Sequence, residues 1–210
     1  MNAIRLSVLI AVSVVAIIIS YVYLDRPIVH FFSAHDSRSM VIFHYFANTI
    51  TQVIGVGIFV FSVVFAIRLL KKNTRPNDFP LFVVCMAVSM SQSFRAVLKP
   101  VFGRAWPDTF KHGNPSFLQD GVYGFHWFSA NDVYQSFPSG HAAFISAFAI
   151  SVALLYPRLR WFCALLMALV LTGQLIMYYH FLSDLIAGCL VGGFSALVCY
   201  GFYRSVEAKT

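Results

Sequence analysis

Apolar runs of about 20 residues recur along this chain, the length a helix needs to cross a bilayer. Six stand out, at roughly residues 6–24, 50–70, 80–98, 141–156, 161–178 and 181–203. No water reaches the backbone inside lipid, so such runs fold as helices that satisfy their own N–H and C=O groups. Charged residues make up only 11% of the 210 positions and hydrophobic ones 59%. A soluble domain carries about 25% charged residues, so that class is excluded. The expectation is an all-α integral membrane protein, a six-transmembrane-helix bundle forming a single domain over 1–210. The first run lacks a small-residue cleavage site after it and reads as a retained span.

Residues 25–48, between the first two spans, mix His30, His35, Asp36, Arg38 and His44 with Phe31, Phe32, Ile42, Phe43, Tyr45 and Phe46. That mixture reads as an amphipathic helix in the membrane interface, with a lid over a lipid entrance as the alternative. Cys85, Cys163, Cys189 and Cys199 sit in apolar runs without metal-ligand spacing, so neither a disulfide framework nor a metal site is expected. The net charge of +7 fits membrane orientation and anionic headgroups, and no nucleic-acid motif accompanies it. Arg5, Arg68, Lys71, Lys72, Arg75, Arg158, Arg160, Arg204 and Lys209 collect on one side, which therefore reads as cytoplasmic and holds both termini. Arg26, Arg38, Arg95, Lys99, Arg104 and Lys111 fall on the other. The connection 99–138 and the turn at His180 then share the outer face, periplasmic or extracellular.

Three stretches on that face carry candidate chemistry. Arg95 and Lys99 are four apart, on one helical face, with Arg104 shortly after. Like charges at that spacing repel unless an anion lies between them; snorkelling to the interface is the alternative reading. Ser89, Ser91, Gln92 and Ser93 just before them require that one face of this helix meet protein or water. Pro138-Ser139-Gly140-His141 opens an apolar helix. Helix starts present unpaired amides to anions, glycine admits close approach, and His141 can move a proton near neutral pH. His180 and Asp184 are again four apart, so the carboxylate can fix the imidazole tautomer and leave the other nitrogen free to attack. A self-satisfied polar pair in a membrane bundle is the plainer alternative. His112 and His126, in the aromatic-rich connection 108–137, read as surface groups.

These stretches resemble the motifs of the type 2 phosphatidic acid phosphatase (PAP2) superfamily, relatives of the vanadium haloperoxidases: KxxxxxxRP, PSGH and SRxxxxxHxxxD. Lys99 and Pro107 match the ends of the first motif, residues 138–141 match the second in full, and His180 and Asp184 match the end of the third. The motif core is 95–184. The resemblance implies His180 as nucleophile forming a phosphohistidine, Asp184 orienting it, and His141 protonating the leaving group. It also implies Lys99, Ser139 and Gly140 around the phosphate, without metal or cofactor. Trp106 stands where the first motif has arginine, and Gly173-Gln174 where the third has Ser-Arg. Arg104 and Arg95 are the expected substitutes, with Gln174 as an uncharged donor.

By this resemblance the chain is a lipid phosphate phosphatase of bacterial type in the inner membrane. The candidate substrates are lipid A phosphate, undecaprenyl pyrophosphate, phosphatidylglycerophosphate and phosphatidic acid. A lipid-to-lipid phosphotransferase and a catalytically weak lipid-binding homologue are the alternatives. Nothing in the sequence sets an oligomeric state.

Overall fold

A computed structural model of the chain describes residues 3–110, 113–129 and 131–209. Lys111 and His112 lie outside them. Among the described residues, five helices are long and apolar enough to cross a membrane: α1 (Ile4–Ala34), α2 (Val41–Leu70), α3 (Asp78–Phe102), α5 (Pro157–Ile176) and α6 (Leu182–Glu207). Between α3 and α5 lies α4 (Gly140–Leu155), apolar but only 16 residues long. At 1.5 Å per residue it reaches about 24 Å, short of the roughly 30 Å hydrocarbon layer. Tyr156-Pro157 stops it, because proline cannot continue the helix. Among the described residues the only strand-like pairing is three isolated bridges, all in the connection after α3.

No separate interfacial helix forms over 25–48. Asp25–Ala34 continues α1, after a π turn at Ser20–Leu24, and Val41–His44 leads through a second π turn into Ile50–Leu70. The chain reverses within residues 35–40, where Asp36 adopts left-handed φ. Side chains explain this. Asp25 and Val29 are buried at 0% and 1% exposure, so one side of this segment packs against the protein. Ser37 Oγ donates to the Ile176 carbonyl at 2.5 Å, and Arg38 pairs with Asp108 at 2.5 Å. These bonds bring the 35–40 turn to the same end of the bundle as the ends of α3 and α5.

The centre of the bundle is α4, packed between α3, α5 and α6. Its alanines and serines are nearly all buried. Small residues let helix backbones approach, which matters in a membrane where lipid supplies no hydrophobic drive for helix association. Gly188 and Gly192, one turn apart on α6, provide the closest approach. A Cβ at Gly192 would lie 2.1 Å from Ser146 Oγ and 2.3 Å from the Ala143 carbonyl oxygen. One at Gly188 would lie 2.6 Å from the Ser139 carbonyl oxygen. The α6 glycines thus set how deeply the start of α4 seats against α6, and with it the spacing of the second and third motifs.

Gly192→Val is therefore expected to destabilise the folded protein by about 1–3 kcal/mol or more through overpacking. Gly201→Ala, with nothing within 4 Å of the new Cβ, is expected to be neutral. Thermal unfolding of the two variants in detergent checks the contrast.

Candidate active site

At the end where α3 stops and α4 and α6 begin, a cavity of about 470 Å³ opens, lined by Arg95, Lys99, Trp106, Gly140, His141, Gln174 and His180 among others. The three motif stretches, separated by up to 85 positions, converge here because each sits at a helix end on this face. His180 is the best defined. It follows Tyr178, held at a left-handed φ of 38° with the Arg38 guanidinium 3.9 Å over its ring. His180 itself is 4% exposed.

The His180 ring is oriented through one nitrogen. Nδ1 lies 3.3 Å from Asp184 Oδ2 and 3.3 Å from Ser136 Oγ. Ser136 spends its own proton on Asp184 Oδ2 at 2.6 Å, so both neighbours of Nδ1 are acceptors. Nδ1 therefore carries the proton and Nε2 the lone pair. Burial lowers the pKa of His180 below the usual imidazole value, against the opposing pull of the Asp184 hydrogen bond and charge. Desolvation wins, and the ring stays neutral at neutral pH.

Asp184 is fully committed. Oδ2 also accepts from the Phe181 amide at 3.1 Å, and Oδ1 accepts from Arg104 Nη1. Arg104 explains much of this end of the bundle. Its side chain is 0% exposed and does not line the cavity. Nη2 pairs with Asp25 Oδ2 at 2.7 Å, Nη1 also donates to Ser183 Oγ at 2.6 Å, and Tyr21, Tyr123, Phe125 and Phe181 surround it. Asp25 in turn receives the Ser183 amide at 2.9 Å and the Ser183 hydroxyl. The phosphate-binding role expected for Arg104 does not fit this placement: it stands behind Asp184, on the far side from the cavity, with both acids already bound. The reason is Asp25, a carboxylate in an apolar helix that needs a cation wherever one can reach it.

The other sequence candidates divide. Arg95 and Lys99 both line the cavity. Arg95 lies against Gly140, where an added Cβ would meet Arg95 Cδ at 2.9 Å. Lys99 Nζ donates to the Gln135 carbonyl at 2.6 Å and sits 5.3 Å over the Trp106 ring. Gly140 and His141 open α4 at the cavity wall, where the first amides of a helix have no acceptor within it. Ser139 does not line the cavity. It is buried, its Oγ caps the helix by accepting from the Ala142 amide at 3.3 Å, and its own amide donates to the Asp184 carbonyl at 3.0 Å. Of the polar residues before Arg95, Gln92 reaches the cavity. Ser89 and Ser93 are exposed, and the Ser93 hydroxyl is satisfied by the Ser89 carbonyl at 3.0 Å.

The two departures from the motifs have local causes. Trp106 turns its ring to His180, with centroids 5.1 Å apart, and becomes a wall of the cavity. Gly173 is packed against the start of α2: a Cβ there would lie 2.6 Å from the Ala47 nitrogen. Gln174 Nε2 donates to the Ala47 carbonyl at 2.8 Å. Buried Arg95 Nε and Gln174 Oε1 have no hydrogen-bond partner among the described residues. Asp25, Ser136, Ser183 and Tyr123 are site residues that sequence reasoning missed; the available signal was Asp25 itself, an acid at the edge of a span. Among the described residues, no group of three or more His, Cys, Asp or Glu side chains is placed to hold a metal ion.

The profile described as "PAP2 superfamily" matches residues 80–207, more than half of the chain, and the protein belongs to that superfamily. Two similar proteins are named lipid A 1-phosphatase. One, from Rhizobium etli, is 38% identical over 103 residues, covering 49% of this chain and 41% of its own. The other, from Rhizobium johnstonii, is 38% identical over 110 residues, covering 51% and 42%. The matched region is thus about two fifths of the length of these relatives. No solved structure matches the chain.

Replacing Arg104 with Met leaves two buried carboxylates without their cation. The expected loss is about 3–5 kcal/mol of stability. Arg104→Met combined with Asp25→Asn is expected to recover part of that loss. Unfolding midpoints of the single and double variants check both points.

Proposed function

We propose that the protein is a lipid phosphate phosphatase working through a phosphohistidine on His180. One observation carries the reading: a buried imidazole with Nδ1 directed at Asp184, in a cavity that also holds Arg95 and Lys99. A neutral ring with a free Nε2 is a nucleophile, and two cations on one face attract a phosphate and neutralise the charge that builds up as it transfers.

In the proposed reaction Nε2 attacks phosphorus while the bond to the leaving oxygen breaks, and His141 gives that oxygen a proton. Asp184 stabilises the cationic ring this creates. Water then attacks the phosphohistidine and yields its proton to His141, and the N–P bond breaks to release phosphate. Arg95, Lys99 and the first amides of α4 at Gly140 hold the phosphoryl oxygens. Arg104 acts one step removed, by fixing Asp184.

We read the 210 residues as one domain with its motif core at 95–184, in a bacterial inner membrane, with α4 as the sixth, shortened span. Alternating helix directions put both termini at the end opposite the cavity, and the basic residues there favour the cytoplasm. The cavity then faces the periplasm. Exposed Trp127 and Phe128, at 58% and 81%, suit an aromatic contact with the headgroup layer there. The names of the two rhizobial relatives favour a lipid A phosphate as substrate over undecaprenyl pyrophosphate, phosphatidylglycerophosphate or phosphatidic acid.

Purified protein offered a panel of these lipids without added metal is expected to release inorganic phosphate. His180→Ala is expected to lose at least about 10³-fold in rate, as for removal of a catalytic nucleophile. Release at a native rate by that variant overturns the mechanism. Label recovered on a second lipid in place of free phosphate identifies a transferase, and no turnover of any lipid identifies a binding homologue.

The pH dependence has a definite sign. Protonated His180 cannot attack, so the rate falls as pH drops through its pKa. Burial lowers that pKa, so the acid limb of kcat/KM is expected below the ordinary imidazole value of about 6.5. A pH–rate profile on a lipid whose phosphate ionisation is measured separately checks this.

A further inference from the structure

The turn at residues 35–40 takes hold of the segment that delivers His180. α5 ends at Ile176, and the last carbonyls of a helix have no partner within it. Ser37 Oγ donates to the Ile176 carbonyl at 2.5 Å, and Arg38 Nε donates to the Met177 carbonyl at 3.2 Å. The next residue, Tyr178, turns left-handed at a φ of 38°. A bulky residue holds that conformation only where its surroundings impose it. The Arg38 guanidinium lies on this turn, 3.9 Å over the Tyr178 ring and 4.5 Å over the Phe110 ring.

Arg38 is itself anchored. Its Nη1 pairs with Asp108 at 2.5 Å. Asp108 is 8% exposed, and its other oxygen accepts from the Thr109 amide at 2.8 Å and from Gln119 Nε2 at 3.1 Å. One guanidinium fork thus spans the long connection after α3 and the turn after α5. His180 stands two residues beyond Tyr178. Asp184 and Ser136 fix the rotation of its ring, but the turn before it sets where the backbone delivers that ring. Arg38 does not line the cavity. The closure of the bundle has other ties: Arg104 joins Asp25 of α1 to Asp184 of α6, and Ser37 keeps its own bond to Ile176.

We propose that Arg38 is a positioning residue, which holds the left-handed turn at Tyr178 through the Met177 carbonyl and the Tyr178 ring and so places His180 Nε2 for attack. Arg38 touches no reacting group and acts only through the turn. A displacement of about 1 Å at a reacting atom costs about 100-fold in rate, even when its cause is remote. Arg95 and Lys99 still hold the phosphate when Arg38 is lost, so substrate binding is spared. This inference rests on the phosphatase reading with His180 as nucleophile.

The test offers the full chain phosphatidic acid, phosphatidylglycerophosphate, undecaprenyl pyrophosphate and lipid A in mixed micelles, and compares variants on the lipid it hydrolyses fastest. Rates are expressed per folded protein, measured on the monodisperse fraction well below its unfolding midpoint. Arg38→Gln is expected to lower kcat by about 10–100-fold with KM within about threefold of native. Arg38→Lys keeps the cation beside Asp108 but lacks the fork that also reaches Met177. It is expected to rescue part of the loss, with kcat about 3–10-fold below native at unchanged KM. A lower unfolding midpoint with native kcat per folded protein shows a merely structural role and overturns the inference, as does a change in KM alone. Where Arg38→Gln does not fold, Arg38→Lys decides, and native kcat in that variant overturns the inference. His180→Ala in the same assay separates the two readings. If it is inactive while the Arg38 variants turn over at the native rate, only the inference falls. If it keeps the native rate, or if the native protein hydrolyses none of the lipids, the phosphatase reading falls and the inference with it.

Discussion

The buried chain of charges from Asp25 through Arg104 to Asp184 is the interaction on which the rest of this end of the protein depends. It ties the first helix, the long connection and the last helix at a single guanidinium. Removing three charges from water is costly, and their mutual attraction repays it only when the geometry is good and every lone pair is used. Here Asp25 and Asp184 accept from backbone amides, hydroxyls and the guanidinium at once, aromatic rings surround it, and among the described residues only Arg104 Nε lacks a partner in the cluster. The same bonds that satisfy Asp184 also aim it, so the tautomer of His180 is a consequence of how the bundle closes.

The cavity in front of that cluster has two unlike walls. One is cationic, made by Arg95 and Lys99 on successive turns of α3, with Gly140 close enough for the Arg95 side chain to lie flat against it. The other is aromatic and amide, made by Trp106 and Gln174. Replacing guanidinium groups by an indole and an amide lowers the positive charge available to a phosphate and adds apolar surface and an acceptor.

Much of this was legible in the chain. Long apolar runs dictate membrane helices because an unpaired backbone cannot sit in lipid, and His180 and Asp184 four apart on a helix start must share a face. The helix opening at Ser139-Gly140-His141 was legible for the same local reason. Other features were not. Arg104 looked like a phosphate ligand because it lies next to the gap left by Trp106. Its partner Asp25 is 79 residues away, and no local pattern links the two. The polar and aromatic mixture over 25–48 looked like a separate helix because composition does not show that its two halves run on, through π turns, into the long helices on either side. Ser139 looked like a phosphate donor, and its burial away from the cavity lining follows from how α4 packs against its neighbours, which no local pattern shows.

The sequence by itself determined that the chain is a set of long apolar helices and that the three motif stretches stand at helix ends on one side of the bundle. These follow from periodicity, length and side-chain chemistry, all of which act within a turn or two of helix. Only the tertiary structure decided which cation serves the cavity and which serves the fold, and which end of the Gln174 amide is left free. Charges in a low-dielectric interior pair with whatever opposite charge packing brings within reach, and that choice is made between elements, not within them.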